Sequence, residues 1–273
     1  MIGKTIGVIS IKGGVGKTTA ITNLGTALAN EFDKKVLLVD ANFSAPNLGL
    51  HLGNVRPEST LFDVIIDKIG IRKAIAKHDS GFDYIPGSLI HHKIDKDIYQ
   101  LKKKIDSVRR DYDLILIDTA PATTNELISA MIASDELLVV TTPDYPTLSC
   151  TIKAIKLAKE RKTPIIGLIL NKTRGKKFEL TVEDIENIAE VPVLAVIPDD
   201  ISALEALSLS KPLILHAPRK ESSIEYKKLA SSLVGVDYKD PRMWNRMKKL
   251  FEVAMTNKAP KHEVNRTLLK RLR

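Results

Sequence analysis

The chain has 273 residues, 44% of them hydrophobic, enough for one large domain with a real core. Its single cysteine, Cys150, excludes a disulfide framework, an iron–sulfur cluster held by one chain and a tetrahedral cysteine zinc site. The net charge of +9 is unevenly placed: residues 236–273 hold 11 Lys and Arg against 4 Asp and Glu, a net of +7, which leaves residues 1–235 at only +2.

The first residues, "MIGKTIGVIS", run straight into a strand pattern without the apolar stretch of a secretory signal. No apolar run approaches the ~20 residues of a membrane-spanning helix, so the expectation is a soluble, cytoplasmic protein. In chain order, strands are predicted at 5–11, 35–40, 82–86, 113–118, 136–142, 164–171 and 191–198. They are almost continuously Val, Ile and Leu, as strands buried on both faces should be. Helical spacing fills the intervals at 18–32, 95–110, 123–135, 145–162, 181–190 and 200–210, and a last helix ends at Gly235. Alternation of this kind predicts an α/β fold, a doubly wound and mostly parallel sheet with helices on both faces. The expected division is a domain over 1–235 and a basic amphipathic tail over 236–273.

The turn after the first strand reads "SIKGGVGKTTA", residues 10–20. Gly13, Gly14 and Gly16 let backbone N–H groups curl around a phosphate. The helix behind them offers its free N–H groups and positive dipole end to the same anion. Lys17 is placed to reach the terminal phosphates, and the Thr18 hydroxyl to hold Mg²⁺. A strict phosphate loop begins with glycine six residues before its lysine, but here Ile11 stands there and Lys12 opens the loop.

"KGGVGKTT" resembles the deviant Walker A motif of the MinD/ParA family of dimerising ATPases. The resemblance implies that Lys12, Gly13, Gly14, Val15, Gly16, Lys17, Thr18 and Thr19 contact ATP. It also implies that Lys12 reaches across a nucleotide-sandwich homodimer, where an added cation offsets crowded phosphate charge and serves the transition state. "LLVDANFSAPNLGLHLG" is similar to the family's switch I, with Asp40 near a magnesium-bound water and Asn47–Leu48 as the Asn-Leu pair. Its second acidic position is filled by Asn42, beside the expected attacking water. An amide accepts a hydrogen bond from water but cannot take its proton, which implies slow hydrolysis, or an ATP-gated scaffold with little turnover. "YDLILIDTAPATT" resembles Walker B and switch II, with Asp118 supporting the ion and 119–122 sensing the γ-phosphate. Asn171, in "GLILNKTRG", matches the reader of the adenine edge, and Pro198 lies in the stretch that closes over the base. Asp144 stands at the start of a helix expected at the dimer face.

Matches over about 4–235 are nearer to MinD-like proteins than to ParA-like DNA partition ATPases, and imply roles in spatial positioning or cell division with an unknown activating protein. In the tail, residues 242–255 place Met243, Met247, Leu250, Phe251 and Ala254 on one helical stripe, with Trp244 beside it and four basic residues on much of the rest. Such a helix fits an anionic membrane surface, giving peripheral attachment; packing on its own domain is the rival. Nucleic acid is the less favoured partner, since few aromatics lie near the charges.

Overall fold

The computed structural model describes residues 2–90 and 98–238. The amphipathic stretch 242–255 and the rest of the basic tail beyond 238 lie outside the described residues.

The strands are β1 (Lys4–Ile9), β2 (Val36–Ala41), β3 (Ala76–Lys77), β4 (Asp83–Ile85), β5 (Leu114–Thr119), β6 (Glu136–Thr141), β7 (Ile165–Thr173) and β8 (Val193–Pro198). Helices are α1 (Lys17–Phe32), α2 (Leu48–His51), α3 (Leu61–Ile65), α4 (Ile71–Ala74), α5 (Leu101–Asp106) and α6 (Asn125–Ala133). After β6 come α7 (Tyr145–Glu160), α8 (Val182–Ala189), α9 (Ser202–Ser208), α10 (Leu213–His216) and α11 (Glu221–Val234). The strands form one sheet in the order β3-β4-β2-β5-β1-β6-β7-β8, and every described pairing is parallel except β3 with β4.

Continuous apolar strands follow from having two cores. On one face Ile6, Val8, Leu38 and Leu116 pack with α1 and α11. On the other, Leu37, Val39, Ile115 and Ile117 pack against α3, α5 and α6, while Leu137 and Val139 pack against α7 and α8. Alternate side chains thus enter opposite layers, so no position on β2 or β5 is free to be polar without a reason. Polar exceptions sit at the strands' carboxyl ends: Asp40, Asp118 and Thr119 are all buried.

The predicted helix over 95–110 is interrupted. Within the described part, α5 ends at Asp106, and the Ser107 hydroxyl turns back to the Lys104 carbonyl at 2.7 Å. That local bond competes with the helical ladder. Leu101, Ile105 and Val108 still bury one stripe. The two-residue β3 and the short α2, α3, α4 and α10 carry too little periodicity to be read from the sequence, and tertiary contacts hold them.

β1 is central, and Gly7 packs tightly against the C-cap of α6 and against β6. A Cβ at Gly7 would lie 2.6 Å from Ser134 Oγ and 2.8 Å from Leu137 Cδ2. Gly7→Ala is expected to cost about 1–3 kcal/mol, as an overpacked core does. Urea unfolding with an unchanged slope and a lower midpoint checks it; an unchanged midpoint contradicts the tight packing.

Candidate nucleotide site

Strand order places the carboxyl ends of β5, β1 and β6 side by side, at the point where the chain's winding reverses direction. Ligands of open α/β sheets bind at such a switch point. There the chain turns from β1 into α1 through residues 10–16. Gly14 at φ 74° and Gly16 at φ 98° take up left-handed backbone that a side chain would strain. A cavity of about 490 Å³ opens above the turn. Its wall includes Gly13, Gly14, Gly16, Lys17, Thr18, Thr19, Asn42, Asn171 and Pro198. These sequence-predicted residues therefore converge on one cavity; Val15 is buried beneath the loop, and Lys12, Asp40 and Asp118 lie outside the cavity lining.

Two donors from the end of β7 hold the loop open. The Asn171 amide nitrogen donates to the Val15 carbonyl at 2.7 Å, and Lys172 Nζ donates to the Gly14 carbonyl at 2.8 Å. Binding carbonyls from behind leaves the loop's N–H groups to the cavity. Asn171, the residue matched to the reader of an adenine edge, stands on the cavity wall with its amide nitrogen on the loop. Lys172 was missed, although it follows Asn171 directly and sits at φ 56°, a left-handed position. His51, in the stretch resembling switch I, and Asp200, in the stretch that holds Pro198, also line the cavity, as does Tyr226, which carried no sequence signal.

Lys17 is buried, and burial lowers its ammonium below the ordinary value while the Asp118 carboxylate works against that. Thr18 Oγ1 donates to Asp118 Oδ2 at 2.6 Å, whereas the buried Asp118 Oδ1 has no hydrogen-bond partner among the described residues. Asp40 stands beside Asp118 in the β2–β5 register. Its oxygens accept backbone N–H bonds from Asn42 at 3.2 Å and Leu48 at 3.0 Å, so Asp40 ties down both ends of loop 42–48. Burial, and then the Asp118 charge, raise Asp40 to about 8; burial raises Asp118 to about 6 against the Thr18 bond and Lys17.

An unpartnered buried carboxylate oxygen beside a threonine hydroxyl and a second carboxylate is a hard-oxygen donor set that fits Mg²⁺. Thr18 and Asp118 would hold the ion, with Asp40 behind them, and the ion would supply charge neutralisation of phosphate oxygens. Among the described residues no group of three or more His, Cys, Asp or Glu forms a cage. The remaining ligands would come from phosphate and water, the usual way Mg²⁺ is held.

Lys12 leaves the loop in the other direction. Its Nζ donates to Thr147 Oγ1 at 2.6 Å and lies 3.4 Å from Asp144 Oδ1, at the N-terminus of α7. Burial pushes Asp144 up, but bonds from Thr142 and Thr147 and the Lys12 charge outweigh it and hold the carboxyl low.

A family model described as an AAA domain matches residues 3–167. An uncharacterized ATP-binding protein of Methanocaldococcus jannaschii is 33% identical over 85% of this chain and 88% of its own length. The septum site-determining protein MinD of Synechocystis is 31% identical over 86% of this chain and 90% of its own. The chain belongs to the MinD/ParA family of P-loop ATPases. A solved MinD/ParA structure, the septum site-determining protein MinD of Pyrococcus horikoshii complexed with Mg-ADP, superposes with a TM-score of 0.80 at 32% identity. It covers 85% of this chain and 96% of that one. The fold and phosphate loop expected of a MinD/ParA ATPase are thus both present.

Because both carboxyls sit above the ordinary 3.8, the folded chain keeps protons that the unfolded chain sheds. Their stabilising contribution is present at low pH and is lost as pH rises from about 4 towards 8. In EDTA and without nucleotide, the thermal midpoint is expected to fall between pH 5 and 8, and Asp118→Asn to flatten that fall. A wild-type midpoint that climbs with pH in step with the variant's contradicts it.

Proposed function

We propose that this chain is a MinD-like ATPase that binds ATP with Mg²⁺ and joins a second copy face to face across the nucleotides. Hydrolysis then times its attachment to a membrane surface or partner protein, in spatial positioning or cell division. The residues over 1–235 do the nucleotide work, and the basic tail over 236–273 makes the surface contact. An activating protein that speeds turnover belongs to this reading.

The observation that supports it most is Lys12. A lysine bound to its own phosphate site would point into the cavity beside Lys17. This one ends instead at the N-terminus of α7, on Thr147 and Asp144, with its side chain 41% exposed. An exposed cation at the rim of a phosphate site is placed to meet phosphates that a second copy brings.

Each residue then has a defined task. Loop N–H groups and the α1 N-terminus receive the phosphates. Lys17 holds the oxygens that gain charge, and Lys12 of the opposing copy adds a cation as the transition state spreads its charge. Water attacks the γ-phosphorus and passes a proton to a γ-phosphate oxygen, its own oxygen bonding to phosphorus as the bond from phosphorus to the β–γ bridging oxygen breaks. That oxygen keeps the electron pair, leaving ADP and inorganic phosphate. Thr18 and Asp118 would hold Mg²⁺, which would supply charge neutralisation at the phosphate oxygens. Loops 42–48 and 119–124 flank the reacting end, the second held by the Ala122 N–H on the Ile11 carbonyl at 2.7 Å. The Pyrococcus horikoshii relative, complexed with Mg-ADP, supports the same ligand here.

Sizing of the full chain by light scattering tests this. With magnesium and a non-hydrolysed ATP analogue a dimer is expected; with ADP, or for Lys12→Ala in either nucleotide, a monomer. A wild type that stays single in both contradicts the proposal. For the tail, deletion of 236–273 is expected to abolish co-sedimentation with anionic vesicles at unchanged ATP affinity. Vesicle binding by the truncated chain contradicts the assignment.

A further inference from the structure

Asn42 stands where the family places a carboxylate, and the structure shows where its amide goes. The side chain is 5% exposed. Its Nδ2 donates to the Ala45 carbonyl at 2.5 Å, and its Oδ1 accepts from the Ala45 N–H at 3.1 Å. Both ends of one amide are spent on one backbone unit, which closes a ring across the turn. Asn47 Nδ2 adds a second donor to the same carbonyl at 2.8 Å.

The amide satisfies both sides of this ring at once. A carboxylate has no N–H for the Ala45 carbonyl and would set a negative oxygen against it. An alkyl chain would offer neither group, leaving the Ala45 N–H without a partner and its carbonyl to Asn47 alone. The substitution of Asn for Asp is therefore a structural choice with its own requirement, separate from any loss of a base.

The same loop is fastened from outside. Ser44 Oγ donates to Glu126 Oε1, and the Ser44 N–H donates to Glu126 Oε2 at 3.2 Å. Glu126 lies in the first turn of α6, directly behind the loop that follows β5. One carboxylate thus bridges the segment after β2 to the segment after β5, both of which supply residues to the cavity wall. Ala45 and Asn47 line the cavity between these fastenings.

We propose that Asn42 and Glu126 are positioning residues that hold loop 42–48 in its working shape before nucleotide arrives, Asn42 by the amide ring on Ala45 and Glu126 by the two bonds to Ser44. Asn42 acts on hydrolysis through the loop rather than by holding the attacking water. The inference rests on the chain's being an ATPase of this family. It makes one prediction opposite to the base argument: restoring the carboxylate at position 42 slows the enzyme.

The test uses the full chain with Asn42→Asp, Glu126→Gln and the pair Ser44→Ala with Glu126→Gln. Hydrogen–deuterium exchange over 42–48 is followed without nucleotide and in Mg-ADP, and kcat and KM for phosphate release are measured alongside. Loss of one such bond is expected to speed exchange at Ala45 and to lower kcat roughly tenfold in Asn42→Asp. KM and ADP affinity should stay within about twofold, because the phosphate loop that binds ground-state nucleotide is untouched. Adding Ser44→Ala to Glu126→Gln should change little more, since both cut the same link. A variant Asn42→Asp that hydrolyses ATP as fast as wild type or faster overturns the proposal, as does unaltered exchange over 42–48. If wild type releases no phosphate under any condition, the ATPase reading fails by itself and the exchange result still judges the loop.

Discussion

Two carboxylates, Asp40 and Asp118, lie side by side at the carboxyl edge of the sheet, both fully buried. Burying one ionised carboxylate is costly, and burying two as neighbours is worse. The surrounding structure is arranged around that problem. Lys17 brings a buried cation to Asp118, and Thr18 brings a hydroxyl. Backbone N–H groups from Asn42 and Leu48 meet Asp40. One oxygen, Asp118 Oδ1, is left unmatched among the described residues. A divalent cation carried in with nucleotide resolves what the protein leaves open, so ligand binding and loop order are joined through one electrostatic constraint.

From that pair the loops take their positions. Asp40 pins the segment after β2 at both ends, and Gly87 lets Pro46 and Asp40 pack where any Cβ would intrude. Glu126 then joins this segment to α6, and the Ala122 N–H joins the segment after β5 to Ile11 in the phosphate turn. Ala122 takes φ 72°, left-handed for a non-glycine residue, and that strain persists because its neighbours over-determine it. Asn171 and Lys172 complete the frame from β7. The loops on this side of the cavity are thus tied to one another.

Much of this was legible in the sequence, for a physical reason. Strands buried on both faces must be apolar, so a buried Asp at the end of a Val/Leu run, such as Asp40 or Asp118, stands out. The phosphate turn announces itself through glycines that backbone approach requires. What was not legible depends on direction. Asn42 and Asn171 have the residue types expected of contacts to water and base, and the sequence did not show that their amides also bond backbone carbonyls of the loops around the site. Side-chain orientation follows from where a loop's own carbonyls point, and no local pattern encodes that. The broken helix after residue 100 and the edge strand β3 were missed because a hydroxyl's local bond and a two-residue pairing leave no periodic trace.

The central claim is that magnesium and nucleotide together relieve a buried carboxylate pair. Thermal midpoints at pH 8, measured with ATP in EDTA and with ATP in magnesium, test it most directly for wild type and Asp118→Asn. The account predicts a large added stabilisation by magnesium in wild type and little in the variant. Equal midpoints with and without magnesium in wild type would contradict it.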